Sequence, residues 1–142
     1  MKKTISILLA VCVCGTVGCG KSSEADVKID YGSSDIYSKE DMDSAIEVIK
    51  DEFSTWEGCE LHCITYVSDD TCNSKNLAWM NDLAKADDPD AEMDQCIMFE
   101  SSFHSPKDGG EAWNEDEEYT GWQWWLARSE GGEWELLTWG NA

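Results

Sequence analysis

Residues 119–140 read YTGWQWWLARSEGGEWELLTWG. Two runs rich in aromatic and aliphatic side chains flank Ser129-Glu130-Gly131-Gly132, and glycine takes the positive φ that closes such a turn. The stretch therefore predicts a hairpin of strands 119–128 and 133–139. Pairing Arg128 with Glu133 sets Leu126 opposite Glu135, Trp124 opposite Leu137 and Trp122 opposite Trp139. On the other face Ala127 meets Trp134, Trp125 meets Leu136 and Gln123 meets Thr138, because side chains alternate along a strand. A hairpin that is aromatic on both sides needs cover on at least one of them, and the rest of the chain supplies a helix for that purpose.

That helix lies upstream. Ser38-Lys39-Glu40-Asp41 has capping-box spacing, with Ser38 as N-cap and Asp41 three residues on. Met42, Ala45, Ile46, Ile49, Phe53 and Trp56 follow at steps of three and four, which places them on one helical face. Gly58 stands where a helix is commonly closed. Between helix and hairpin, residues 61–67 (LHCITYV) and 95–103 (QCIMFESSF) read as strands, and 74–86 reads as a shorter second helix ended by Asp87-Asp88-Pro89-Asp90. The expected fold class is α+β: a long N-terminal amphipathic helix packed on a curved antiparallel sheet of about four strands. The element order is cystatin-like or NTF2-like, with a second short helix. The strands are too few and too unevenly spaced for a sandwich.

The N-terminus carries an address. Lys2 and Lys3, the apolar run from Ile5 to Val13 and the small residues before Cys19 form the three zones of an export signal. The apolar run is too short for a permanent span of roughly 20 residues. Thr16-Val17-Gly18-Cys19 resembles the bacterial lipobox, although Thr16 stands where leucine is usual. The reading is a signal peptide over 1–18, lipidation at Cys19, a flexible polar tether over 19–36 and a single domain over 37–142. The domain is then held by its lipid at the outer face of the cytoplasmic membrane, since more than one acyl chain anchors stably.

The 142 residues carry a formal charge of −20. Such a surface excludes nucleic acid as a partner and keeps the domain off anionic lipid, both of which are bound through basic patches. The partners expected are the membrane, through the anchor, and an envelope protein or glycan.

Cys59, Cys63, Cys72 and Cys96 are candidate disulfide cysteines. If 59 to 63 is extended, those two lie about 13 Å apart along one strand and cannot bond to each other. Two pairings remain open, Cys59–Cys72 with Cys63–Cys96, or Cys59–Cys96 with Cys63–Cys72, and four free thiols are a third reading. Zinc is disfavoured because no C-x-x-C pair is present, and the acidic runs 87–94 and 115–118 lack calcium-loop spacing. No cofactor is expected. No nucleophile elbow, phosphate loop or dinucleotide fingerprint occurs. A Cys–His pair drawn from Cys63 or Cys96 with His104 rests on residue type alone.

Eight tryptophans, five of them in the last 21 residues, are the remaining signal. Large aromatics are core residues more often than ligand platforms. Depending on which hairpin face packs on the helix, the other displays Trp125 and Trp134, or Trp122, Trp124 and Trp139; Trp125, Trp134 and Trp113, the last in the Gly-rich loop, are the candidate ligand-binding residues.

The segments YSKEDMDSAIEVIKDEF, WEGCEL, SSFHSP and YTGWQWWLARSEGGEWELLTWG resemble an uncharacterised family of lipoprotein domains from Gram-positive bacteria. The likeness covers most of residues 37–142. It departs at the C-terminus, where the family's W-G-Y is replaced by Trp139-Gly140-Asn141, and in the extra Cys63, Cys72 and Cys96. The resemblance implies an envelope address and no particular chemistry. The function expected is non-enzymatic binding outside the membrane. The alternatives are a carbohydrate-binding module using hairpin tryptophans and an NTF2-like enzyme.

Overall fold

The structure is a computed structural model that describes residues 26–141. The expected signal peptide and the first seven residues of the expected tether (19–25), Cys19 among them, lie outside the described residues. Among the described residues the order is β1 (Lys28–Asp30), α1 (Lys39–Phe53), β2 (Glu60–Tyr66), a 3-10 turn (Asp69–Thr71), α2 (Ser74–Asp87), β3 (Gln95–His104), β4 (Glu118–Arg128) and β5 (Glu135–Asn141). The five strands form one sheet in the order β1-β2-β3-β4-β5. The pairs from β2 to β5 are antiparallel and β1 runs parallel to β2, so the sheet is mixed.

The α+β class holds, with three corrections. The first helix is not N-terminal, because β1 precedes it and draws residues 28–30 of the expected tether into the sheet. The sheet has five strands rather than about four. The helices are also of nearly equal length, 15 and 14 residues, so α2 is not a short companion to a long one.

α1 forms where its sequence dictates. Ser38 Oγ accepts from Asp41 N, and the Asp41 carboxylate accepts from Ser38 N, closing the capping box. Met42, Ala45, Ile46, Ile49 and Phe53 are all buried against one sheet face. That face supplies Leu61, Ile64, Tyr66, Ile97, Phe99, Phe103, Trp124 and Leu126. α2 covers the opposite face over β3–β5, where Met80 and Ala84 pack with Cys96, Met98, Trp125 and Ala127.

Arg128, the chain's single arginine, joins α1 to the hairpin. Its guanidinium donates to Asp41 Oδ1 (3.0 Å) and to Gln95 Oε1 (2.7 Å), and it lies 4.2 Å from the Trp134 ring centroid. Trp134 Nε1 in turn donates to the Asp41 carbonyl (3.0 Å). Asp41 is held below the usual carboxylate range, first by the Ser38 backbone N–H and then by Arg128.

The hairpin register differs from the expected one. Trp124 pairs with Trp139, Trp125 with Thr138, Leu126 with Leu136 and Ala127 with Glu135. A bulge between Trp125 and Leu126 takes up the extra residue, Leu137. Trp134 falls outside β5 and folds back onto Tyr37 and Arg128. The bulge, which periodicity cannot show, therefore places Trp124 beside Trp139 on the α1 face.

Candidate functional site

The aromatic side chains of the α1 face run together toward one end of the sheet. Phe103 is fully buried, and its ring meets those of Phe53, Trp56, Trp113, Tyr119 and Trp122 at centroid separations of 4.9–5.6 Å. Trp124, also fully buried, stacks on Trp56 at 5.1 Å and on Trp139 at 6.2 Å. Trp124 Nε1 donates to the buried Ser101 hydroxyl at 2.8 Å. The cluster ends at the surface with Trp139, which is 41% exposed.

Here the structure opens a cleft of about 660 Å³ between three segments. One wall is the turn after α1, with Thr55, Trp56, Glu57 and Gly58; a second is the β3–β4 loop, with Asp108, Glu111 and Trp113; the third is Trp139 of β5. Its surface therefore combines three indole rings with three carboxylates.

Both loops are tied down by their own hydrogen bonds. Ser105, buried beneath the β3–β4 loop, donates through Oγ to the Asn114 carbonyl (2.6 Å) and accepts from Glu117 N (2.8 Å). Trp113 N donates to the Gly109 carbonyl and Asp116 N to the Pro106 carbonyl. Two glycines are required by shape as well as by φ. At Gly58 (φ +76°) a Cβ would lie 2.8 Å from Pro106 Cγ, and at Gly109 (φ +72°) it would strike the Trp113 carbonyl oxygen.

Of the tryptophans singled out in the sequence, Trp113 lines this cleft. Trp125 and Trp134 do not: they are 8% and 6% exposed. The expectation that the hairpin displays them is corrected by α2, whose Trp79 packs edge-on against Trp125 at 5.2 Å, and by Tyr37 and Arg128, which enclose Trp134. Trp56 and Trp139 are the cleft residues that sequence reasoning did not select. The available signal was two glycine-bearing turns, 57–58 and 108–110, each beside a tryptophan.

A second, polar site occupies the other sheet face beyond the reach of α2. His62 and His104 lie on neighbouring strands with ring centroids 6.4 Å apart. Glu118 takes one Nδ1 on each oxygen, His62 at 2.8 Å and His104 at 2.9 Å. His104 Nε2 meets Asp116 Oδ1 at 2.7 Å. With both nitrogens facing carboxylates, Asp116 first and Glu118 second, the His104 pKa is raised. Asp116 reaches this position with φ of +47°, a left-handed conformation that aspartate tolerates better than most residues.

A bulge at Leu61/Cys63 puts His62 and Cys63 together in a cleft of about 410 Å³ with Lys28, Glu60 and Ser102. Cys63 Sγ contacts Ser102 Oγ at 3.0 Å. His104 is thus engaged by carboxylates and is not partnered with Cys63 or Cys96, so the Cys–His pairing drawn from residue type is not assembled. Among the described residues, no group of three or more His, Cys, Asp or Glu side chains is arranged to hold a metal ion.

The four cysteines among the described residues, Cys59, Cys63, Cys72 and Cys96, are free thiols. Cys59 is buried on the α1 side, where desolvation pushes its thiol up to about 11, whereas the β2 bulge turns Cys63 into the polar cleft. Cys72 packs against the cluster that contains Cys96, and Cys96 Sγ lies 4.0 Å from the Thr71 carbonyl.

No protein-family model, curated protein or solved structure matches the chain. Among the described residues, no helix is long and apolar enough to cross a membrane.

Proposed function

We propose that this protein is a lipid-anchored, extracytoplasmic binding module and that the tryptophan-walled cleft is its binding site. The cleft itself carries the reading: about 660 Å³ with Trp56, Trp113 and Trp139 on its walls and Glu57, Asp108 and Glu111 among them. Indole faces stack against the C–H faces of sugar rings, and carboxylates accept hydrogen bonds from sugar hydroxyls, so an envelope glycan is the ligand class that suits this lining. The address comes from the leader, Lys2 to Cys19, and from the resemblance to uncharacterised Gram-positive lipoprotein domains. In the same proposal the fold is kin to cystatin-like and NTF2-like rolls, which lay a helix across a curved sheet.

The role is read as non-enzymatic. The space between α1 and the sheet, where an NTF2-like enzyme holds its substrate, is filled here by Phe53, Phe103 and Trp124, all fully buried.

The test is tryptophan fluorescence of the purified full chain, titrated with cell-wall and polysaccharide fragments. A saturable change in emission is expected, and Trp139→Ala should abolish it while leaving the far-UV circular dichroism intact. Trp125→Phe, altered under α2, should leave it in place. Binding that survives Trp139→Ala, or no response to any fragment, would remove the cleft as a glycan site.

A further inference from the structure

Cys72 closes the 3-10 turn and immediately precedes Asn73, the N-cap of α2. Cys96 is the second residue of β3, at the centre of the sheet, and is buried. The two are brought together by the return of the chain through α2. Cys96 Sγ lies 4.0 Å from the Thr71 carbonyl, the peptide group that leads into Cys72.

A shell of hydroxyls surrounds the pair. Tyr66 Oη lies 3.7 Å from Cys72 Sγ and Thr71 Oγ1 lies 3.8 Å from it. Tyr37 Oη donates to the Cys96 carbonyl at 2.6 Å. Cys72 is partly exposed and touches both halves of the core, whereas Cys96 is sealed beneath α2. A partly exposed cysteine packed against the cluster that holds a buried one, with the buried sulfur 4.0 Å from the peptide carbonyl that precedes the first, is a placement that suits dithiol–disulfide chemistry.

From this geometry we propose that Cys72 and Cys96 form a redox-active pair, with Cys72 as the attacking thiol and Cys96 as the resolving one, and that low-molecular-weight disulfides are their oxidant. The proposal does not depend on the glycan reading of the tryptophan cleft. The Cys72 thiolate attacks one sulfur of the small disulfide, breaking its S–S bond and releasing one thiolate. Cys96, on losing its proton to solvent, attacks the Cys72 sulfur of the mixed disulfide and releases the second thiolate. The two protein thiols lose two electrons and two protons, and the small disulfide becomes two thiols.

The environment favours those roles. The pKa of the Cys72 thiol is lowered from its ordinary value, chiefly by the Cys96 thiol against the opposing effect of burial, while the same pairing and burial raise that of Cys96. The bond would tie the root of α2 to the central strand. In the reduced protein α2 is held there by Met80 and Ala84 and by Asn81, whose side chain bonds to Met93 N and O.

The experiment is incubation of the full reduced chain with glutathione disulfide, followed by an N-ethylmaleimide quench and peptide mapping. Cleavage before Asp51, Asp69, Asp70 and Asp94 separates Cys72 from Cys96 and leaves Cys59 and Cys63 together in another peptide. A Cys72–Cys96 linked pair is expected, with Cys59 and Cys63 alkylated. Cys96→Ala should instead trap glutathione on Cys72. Iodoacetamide at pH 7 should modify Cys72 in the wild type about tenfold faster than Cys63, as a lowered thiol pKa requires. Linkage of Cys72 to Cys59 or Cys63, or a Cys72 that stays reduced while Cys63 is glutathionylated, overturns the proposal. Mapping of the wild-type chain decides this even if a variant does not fold.

Discussion

Replacing Arg128 by methionine tests how α1 is fastened to the sheet. Methionine keeps the apolar stem and removes two donors and a cation. The hydrogen bond to Asp41 is charge-assisted and mostly shielded, with side-chain exposures of 14% for Arg128 and 31% for Asp41. Such a bond contributes about 1.5–3 kcal/mol, the bond to neutral Gln95 at the lower end of that range, and the stacking on Trp134 about 1 kcal/mol. Their sum exceeds the expected loss, because solvent reaches the Asp41 left behind and rehydrates it. The expected destabilisation is therefore about 3 kcal/mol, a large share of a domain stability of about 5–15 kcal/mol.

Urea unfolding followed by circular dichroism and by tryptophan emission measures that loss as a shift in midpoint at constant slope. A double-mutant cycle with Asp41→Asn should return a coupling of about 1 kcal/mol or more. The Asp41 contribution has a defined pH window. Its folded pKa is lowered, so its stabilisation is complete above the unfolded value, about 3.9, and is lost as pH falls through the folded value. A loss below about 1 kcal/mol for Arg128→Met would mean that α1 is held by its apolar face alone and that the clasp is decorative.

Ser38→Ala removes the N-cap and should cost about 1 kcal/mol, read from the same urea midpoint, with Ser38→Gly milder. Phe103→Ala empties the centre of the aromatic cluster and should cost about 3–5 kcal/mol, and the slackened cluster should weaken any ligand response at Trp139. For His104, a proton NMR titration should find a pKa above that of a free imidazole, and Glu118→Gln should bring it down. Because the folded pKa is raised, the stabilisation from this contact is complete below about pH 6.5 and disappears as pH rises through the folded value. Gly109→Ala should disturb the β3–β4 loop, lowering the melting temperature and reducing the quenching contrast of Trp113.

Most element types were legible because they depend on local chemistry. The capping box at Ser38 and Asp41, the face from Met42 to Phe53, and the extent of α2 follow from spacing and propensity, and each strand from β2 to β5 lies within a few residues of its expected place. β1 was not legible: Lys28-Ile29-Asp30 is three residues long and two-thirds charged, and it is a strand because β2 offers it an edge. The tryptophans were legible as a cluster but not as a site, because the register that sorts them turns on a bulge.

The sequence by itself determined the composition of the layers: an acidic surface, one amphipathic helix with its cap, and strands apolar enough to need cover on both faces. Those properties are set within a few residues of chain, where periodicity and capping act. Only the tertiary structure decided that Trp125 and Trp134 are enclosed while Trp56, Trp113 and Trp139 line a cleft, that His62 and His104 share Glu118, and that Cys72 packs against the cluster that contains Cys96. Each of these joins segments far apart in sequence through a bulge, a crossover or a loop closure. A one-residue change in register moves every side chain of a strand to the opposite face, and local propensity does not encode such a shift.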